Sequence, residues 1–113
     1  MQYLESHEVV LTTYEVIRQE AQILAAAEEI EKRKHCPLFA VYWTLIVLEE
    51  AHKISNQNNT FARAAYRLMG DFRVALTGTP LQNEYTDCQS LMRFLRIEPW
   101  SDLRQFKNVG FLF

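Results

Sequence analysis

The sequence predicts an α/β fold, a parallel β-sheet flanked by helices. Three observations carry that expectation. Short apolar, β-branched runs alternate with stretches whose apolar residues recur at helical spacing. One of the runs, Trp43 to Leu48, is apolar on both faces, as strands of helix-covered parallel sheets are. The order is strand, helix, strand, helix, strand, helix, the βαβ pattern, whose crossovers are right-handed.

Val9 to Thr13 reads as a short buried strand. From Tyr14 to Lys34, Val16, Ile17, Ile23, Leu24, Ala27 and Ile30 recur at helical spacing among Ala, Glu, Gln and Lys. Lys32, Arg33 and Lys34 suit the negative end of that helix dipole, and Pro37 opposes continuation. Trp43 to Leu48 is the second strand. The polar run Ser55 to Asn59 is a loop, and Thr60 can cap a helix of about ten residues that buries Phe61, Ala64, Ala65 and Leu68 and ends at Gly70. Arg73 to Leu76 is the third strand. Thr77 to Pro80 forms a turn, and Asn83 caps a helix running through Arg96 with Leu91, Phe94 and Leu95 inward. A short helix restarts after Pro99, near Asp102 to Phe106.

Composition narrows the classes. The 113 residues suffice for one small domain, and 49% hydrophobic content argues against disorder. A net charge of −2 offers no general basic footprint for nucleic acid, so any such contact must come from a few placed groups or a partner domain. Cys36 and Cys88 form neither a disulfide framework nor a zinc pattern. No apolar run reaches membrane-spanning length, and the first residues lack the form of a signal peptide. A cytoplasmic or nuclear location is expected on composition.

Two motifs carry chemistry, and both fall at the carboxyl ends of predicted strands, where ligands of such sheets sit. In the first, Ile46-Val47-Leu48-Glu49-Glu50-Ala51-His52, an apolar strand ends in two carboxylates. That is the Walker B arrangement. One carboxylate can serve a magnesium ion, which takes oxygen ligands and keeps several waters, and the other can orient an attacking water. Taken alone, the Glu-Glu pair reads more often as two solvated charges where a strand meets a loop. The spacing of Glu49, Glu50 and His52 is not that of an HExxH metal site. In the second motif, Leu76-Thr77-Gly78-Thr79-Pro80-Leu81-Gln82-Asn83, Gly and Pro set a tight backbone path. Its threonine hydroxyls can bond to the neighbouring acidic strand end. An isolated TGTP would be a plain turn; eight such residues after a buried strand are far more specific.

These strings, together with SLMRFLRIEPW at Ser90 to Trp100 and VVLTTYE at Val9 to Glu15, resemble the Swi/Snf-type helicase-like ATPases of superfamily 2. The resemblance spans roughly Glu8 to Lys107. It implies a partial RecA-like P-loop NTPase lobe over residues 1–113, from the N-terminal half of an ATP-dependent DNA translocase. It implies that Glu49 holds magnesium through water, that Glu50 orients the attacking water, and that His52 links to the nucleotide state. Thr77, Gly78 and Thr79 take the place of the motif that couples ATP state to DNA movement. Thr12 and Thr13 lie where the family touches the phosphate backbone, contacts that position DNA without reading sequence. ATP and magnesium are the implied cofactors. Double-stranded DNA is the implied partner, in nucleosome remodelling or repair complexes in the nucleus, with a second RecA-like lobe completing the motor.

The chain departs from the family pattern at several points. Glu49 stands where the family has aspartate, moving a carboxylate by about 1 Å, a displacement that can cost much of a rate. Ser55 stands where lysine or arginine is common. No GxxxxGK[ST] occurs, so no loop of backbone amides cradles phosphate. In the family that loop precedes this region, and its strand packs beside the one at Arg73 to Leu76. Without it, that strand is expected to show an open edge and an exposed face. The apolar end, Val109 to Phe113, reads as a truncation, of a gene-model fragment or a pseudogene product. The isolated chain is expected not to bind ATP tightly. Three readings follow: a segment of a DNA-translocating ATPase, a non-catalytic interaction domain that kept the fold, and an unrelated nucleotide-binding or flavodoxin-like domain.

Overall fold

A computed structural model describes residues 2–26, 34–56, 58–78 and 84–98. Five helices are described: α1 (Gln2–Glu5), α2 (Tyr14–Ala26), α3 (Pro37–Ala40), α4 (Thr60–Arg67) and α5 (Glu84–Leu95). Two strands, β1 (Tyr42–Leu48) and β2 (Met69–Ala75), and a 3₁₀ turn at Ala51–Ile54 complete the described elements.

β1 and β2 pair in parallel, with Tyr42 opposite Met69 and Leu48 opposite Ala75. Parallel neighbours require a crossover, and the 3₁₀ turn and α4 supply it. β2 starts four residues before the predicted Arg73. Gly70 and Asp71 are poor strand formers, but pairing against Tyr42 and Trp43 overrides local preference. Gly70 therefore belongs to the strand and does not end the helix. A Cβ there would lie 2.8 Å from the Trp43 carbonyl oxygen and 2.9 Å from Ile46 Cδ1, so only glycine lets the strands start this close.

α4 is capped by Asn59, one residue before the predicted Thr60: its side chain accepts from the Phe61 amide at 2.8 Å. Asn59 also donates through Nδ2 to the Lys53 carbonyl at 3.0 Å, which ties the helix start to the turn after β1. The helix ends at Arg67 because Leu68 turns extended. α2 begins where expected, with the Thr13 hydroxyl accepting from the Val16 amide at 3.2 Å. Its predicted continuation to Lys34 crosses residues 27–33, outside the described residues. α5 stops at Leu95, one residue earlier than predicted. Arg96 adopts φ 56, and the Ile97 amide returns to Met92 O at 3.1 Å while Arg96 N returns to Arg93 O at 3.2 Å. That bond pair is a Schellman stop, here without its usual glycine. The predicted Asn83 cap and the short helix after Pro99 lie outside the described residues.

The core sits between one sheet face and the helices. Ile46 and Leu48 of β1 pack with Ile17, Leu38, Phe39, the alanines of α4, and Phe94, which is fully buried. Ser90 donates to the Ile54 carbonyl and shares a hydrogen bond with the Tyr66 hydroxyl, fastening α5 to the crossover. The Arg73 guanidinium stacks on Phe94 at 5.2 Å and donates to the Leu68 carbonyl.

Two expectations are corrected. Val9–Thr13 is not a buried strand. Val9 is 74% and Leu11 92% exposed, and none of the five residues pairs with β1 or β2. Apolar, β-branched character makes a residue fit for a sheet, but ladder bonds make the strand. The second correction concerns β1, which among the described residues is covered on one face alone. Alternation and register place Leu45, Val47, Phe72 and Val74 together on the opposite face, where all four are exposed.

Candidate functional site at the strand tips

The carboxyl ends of β1 and β2 are held together beyond the strands themselves. The Leu76 amide donates to Leu48 O and the Ala51 amide donates to Leu76 O, both at 2.8 Å. Between those anchors the chain makes a tight excursion through Glu49 and Glu50. Glu50 takes a left-handed conformation, φ 54 and ψ 48, which costs a non-glycine residue about 1–2 kcal/mol. Both glutamate side chains are exposed at this tip. The 3₁₀ turn then buries Ala51 and Ile54 and leaves His52 facing the neighbouring strand end.

His52 joins the two motifs. Its Nδ1 lies 3.2 Å from the Thr77 hydroxyl and 3.3 Å from Glu50 Oε2. Thr77 can donate to a bare Nδ1; a protonated Nδ1 can instead donate to the hydroxyl or the carboxylate. One imidazole thus contacts a residue from each strand tip. Gly78 is exposed, with open space where a Cβ would be. Thr79, predicted to lie near Glu50, is outside the described residues.

Thr12 and Thr13 are exposed and immediately precede α2. A cavity of about 230 Å³ separates Val10–Tyr14 from Leu45–Glu49 of the β1 side. Tyr14 spans it: its hydroxyl donates to the Glu49 backbone carbonyl at 2.8 Å. The ring leans on Phe61, centroids 6.0 Å apart, and the Lys53 ammonium sits 5.8 Å from its centre. Burial, then the charges of Glu49 and Glu50, push the Tyr14 phenol up to about 12, so it stays a donor at neutral pH. Sequence reading did not single out Tyr14. Its bond joins residues 35 apart in the chain, and no local pattern announces such a contact.

Among the described residues no three His, Cys, Asp or Glu side chains form a metal-holding group. The donor set at the tip is two exposed carboxylates. That fits magnesium, which is held by one or two carboxylates and completes its shell with water and phosphate oxygens. It does not fit zinc or calcium, which need fuller protein shells. The phosphate cradle that nucleotide binding requires is not contained in these 113 residues.

Comparison with known proteins gives consistent relatives. A family model described as SNF2-related domain matches residues 1–110. The chain is 45% identical over 97 residues to the DNA repair protein RAD5A of Arabidopsis thaliana, an alignment covering 86% of this chain and 9% of that protein. It is 37% identical over 106 residues to transcription termination factor 2 of Drosophila melanogaster, covering 94% of this chain and 9% of that protein. Among solved structures, the Sulfolobus solfataricus SWI2/SNF2 ATPase core in complex with double-stranded DNA superposes with a TM-score of 0.68 at 31% identity. That match covers 93% of this chain and 19% of the solved chain. The chain therefore spans about a tenth of the length of the curated relatives it matches.

Proposed function

The chain belongs to the SNF2-related domain family, and from that premise we propose that it is the hydrolysis segment of an ATP-dependent translocase acting on double-stranded DNA. Its architecture is that of a partial RecA-like lobe. The observation that carries the functional reading is the contact of His52 Nδ1 with the Thr77 hydroxyl, 3.2 Å apart, beside two exposed carboxylates. It brings the acidic motif and the threonine motif together at adjacent strand tips, where this chemistry needs them.

In this reading Glu49 holds magnesium through water, and Glu50 orients the water that attacks the terminal phosphate. Bound magnesium supplies charge neutralisation for the phosphoryl transfer. The protein's own contribution is positioning: a strand end bonded to its neighbour presents the carboxylates, and the left-handed Glu50 turns them toward solvent. His52 passes the state of that tip to Thr77, Gly78 and Thr79, the coupling segment. Thr12 and Thr13, exposed ahead of α2, contact the DNA phosphate backbone. The setting is nuclear, in nucleosome remodelling or DNA repair, with a second RecA-like lobe completing the motor.

Glu49 favours a second reading. Its longer side chain in place of aspartate suits an interaction domain that has kept the fold and lost turnover. One experiment separates the two. The segment is grafted into a complete two-lobed motor of the same family, with Glu49 as found and as Glu49→Asp, and DNA-stimulated ATP hydrolysis is measured. Turnover with Glu49 in place supports the translocase reading. Turnover restored by Glu49→Asp alone makes this chain a descendant that has lost its chemistry.

A further inference from the structure

Tyr14 stands at a junction that the proposed chemistry does not use. It is the first residue of α2 and directly follows Thr12 and Thr13. Thr13 caps that helix through the Val16 amide, so Thr13 and Tyr14 move with the helix start as one rigid piece. The Tyr14 hydroxyl reaches across to the peptide linking Glu49 and Glu50, donating to the Glu49 carbonyl at 2.8 Å.

That peptide plane is set by ψ of Glu49 and φ of Glu50, the dihedrals that shape the acidic turn. On its far side, Glu50 is held left-handed, a conformation a glutamate leaves readily when nothing holds it. The Ala51 amide, bonded to Leu76 O at 2.8 Å, fixes the chain after Glu50. Tyr14 fixes it before. Rotation of the Glu49–Glu50 peptide breaks the Tyr14 bond and changes ψ of Glu49 and φ of Glu50 together, taking Glu50 out of its left-handed conformation. Phe61 and Lys53 sit beside the ring, so the phenol has limited freedom to follow such a rotation.

We propose that Tyr14 is a positioning residue that locks the Glu49–Glu50 turn and transmits displacement of the Thr12–Thr13 segment to it. A DNA phosphate engaging Thr12 and Thr13 then acts on the acidic tip through one hydrogen bond, without crossing the sheet. The inference rests on the assignments of the acidic tip and of Thr12 and Thr13 made under Proposed function, and the test keeps its failure separable from failure of the acidic tip.

In the complete motor carrying this segment, three proteins are compared: the parent, Tyr14→Phe and Glu50→Gln. ATP turnover is measured with and without saturating duplex DNA, together with KM for ATP and DNA affinity. Tyr14→Phe keeps the ring against Phe61 and deletes one bond. It is expected to lower DNA-stimulated kcat about fivefold to tenfold, the worth of one such bond. Basal kcat falls by a smaller factor, since the turn it uses is also held by Tyr14, while KM and DNA affinity stay within about twofold, so the ratio of stimulated to basal turnover drops. A purely structural tyrosine would lower both rates together, and a direct DNA contact would weaken DNA affinity; either result overturns the proposal. An unchanged ratio in Tyr14→Phe, with Glu50→Gln inactive, overturns it too and leaves the assignment of the acidic tip standing. Full turnover in Glu50→Gln removes that assignment, and the present inference with it. Should Tyr14→Phe fail to fold, a ring-fluorinated tyrosine at the same position keeps the packing and alters the donor strength. A stimulated-to-basal ratio that moves supports the proposal, and one that does not move rejects it.

Discussion

Strand β1, which leads into the acidic tip, and the segment Val9–Thr13 have similar apolar, β-branched character and opposite fates. At the tips, Leu48, Ala51 and Leu76 are linked by two backbone bonds, and the chain between them holds a strained glutamate in place. Val9–Thr13 lies alongside β1, exposed except at half-buried Val10, with a cavity between them and no ladder bond to β1 or β2. Residue type admits a segment to a sheet, and backbone pairing with a neighbour of matching register makes it a strand. The tips can therefore store strain, whereas the segment's one firm link to them among the described residues is the Tyr14 side chain.

Four measurements would break or sharpen that contrast. Phe94→Ala should have the largest effect. It empties a fully buried site beneath Arg73 of β2 and should cost about 3–5 kcal/mol, read as a lower midpoint in denaturant unfolding. Gly70→Ala should cost about 1–3 kcal/mol in the same assay, because the added methyl meets the fixed Trp43 carbonyl oxygen as well as the Ile46 side chain.

Glu20→Gln should act through pH. The Glu20 carboxyl accepts from the Leu38 amide at 3.1 Å, and burial raises its pKa above the ordinary 4.5 despite that bond. A raised pKa means the fold prefers the protonated acid. That share of stability is complete below pH 4.5 and is lost as pH rises through the folded value. The variant, which cannot ionise, should therefore melt higher than the parent at pH 7 and lose the advantage near pH 4 (thermal melts across the range give the check). Leu11→Ser should have the smallest effect, within about 0.5 kcal/mol, since Leu11 is 92% exposed. A loss of 2 kcal/mol or more there would mean that the segment is bound to the sheet after all.

Much of the frame was legible in the residues. The strand at Trp43–Leu48, the helices after Tyr14 and near Thr60, and the placing of both motifs at adjacent strand ends follow from periodicity and turn chemistry. What escaped was set by contacts distant in sequence. Gly70 looked like a helix stop, because the demand for a missing side chain comes from the Trp43 carbonyl. Thr60 and Asn59 are both good caps, and the bond from Asn59 to the Lys53 carbonyl favours the latter. The left-handed Glu50 has no local cue, since glutamate is an ordinary residue at a strand end. Arg96 hides a helix stop for the same reason. Both motifs were legible as patterns, whereas the tie from the Thr12–Thr13 segment to the acidic tip through Tyr14 was not.

Gly70 also bears on the far end of the sheet. It lies at the base of β2, and Leu76 lies just past the top, about 20 Å away at a strand's rise per residue. Two parallel strands pinned at both ends behave like the sides of a narrow ladder: widening the bottom rung skews the top. The spacing between His52 and Thr77 is therefore expected to respond to a methyl added at Gly70, at the other end of the two strands. A change that never touches the acidic tip can detune it by geometry alone.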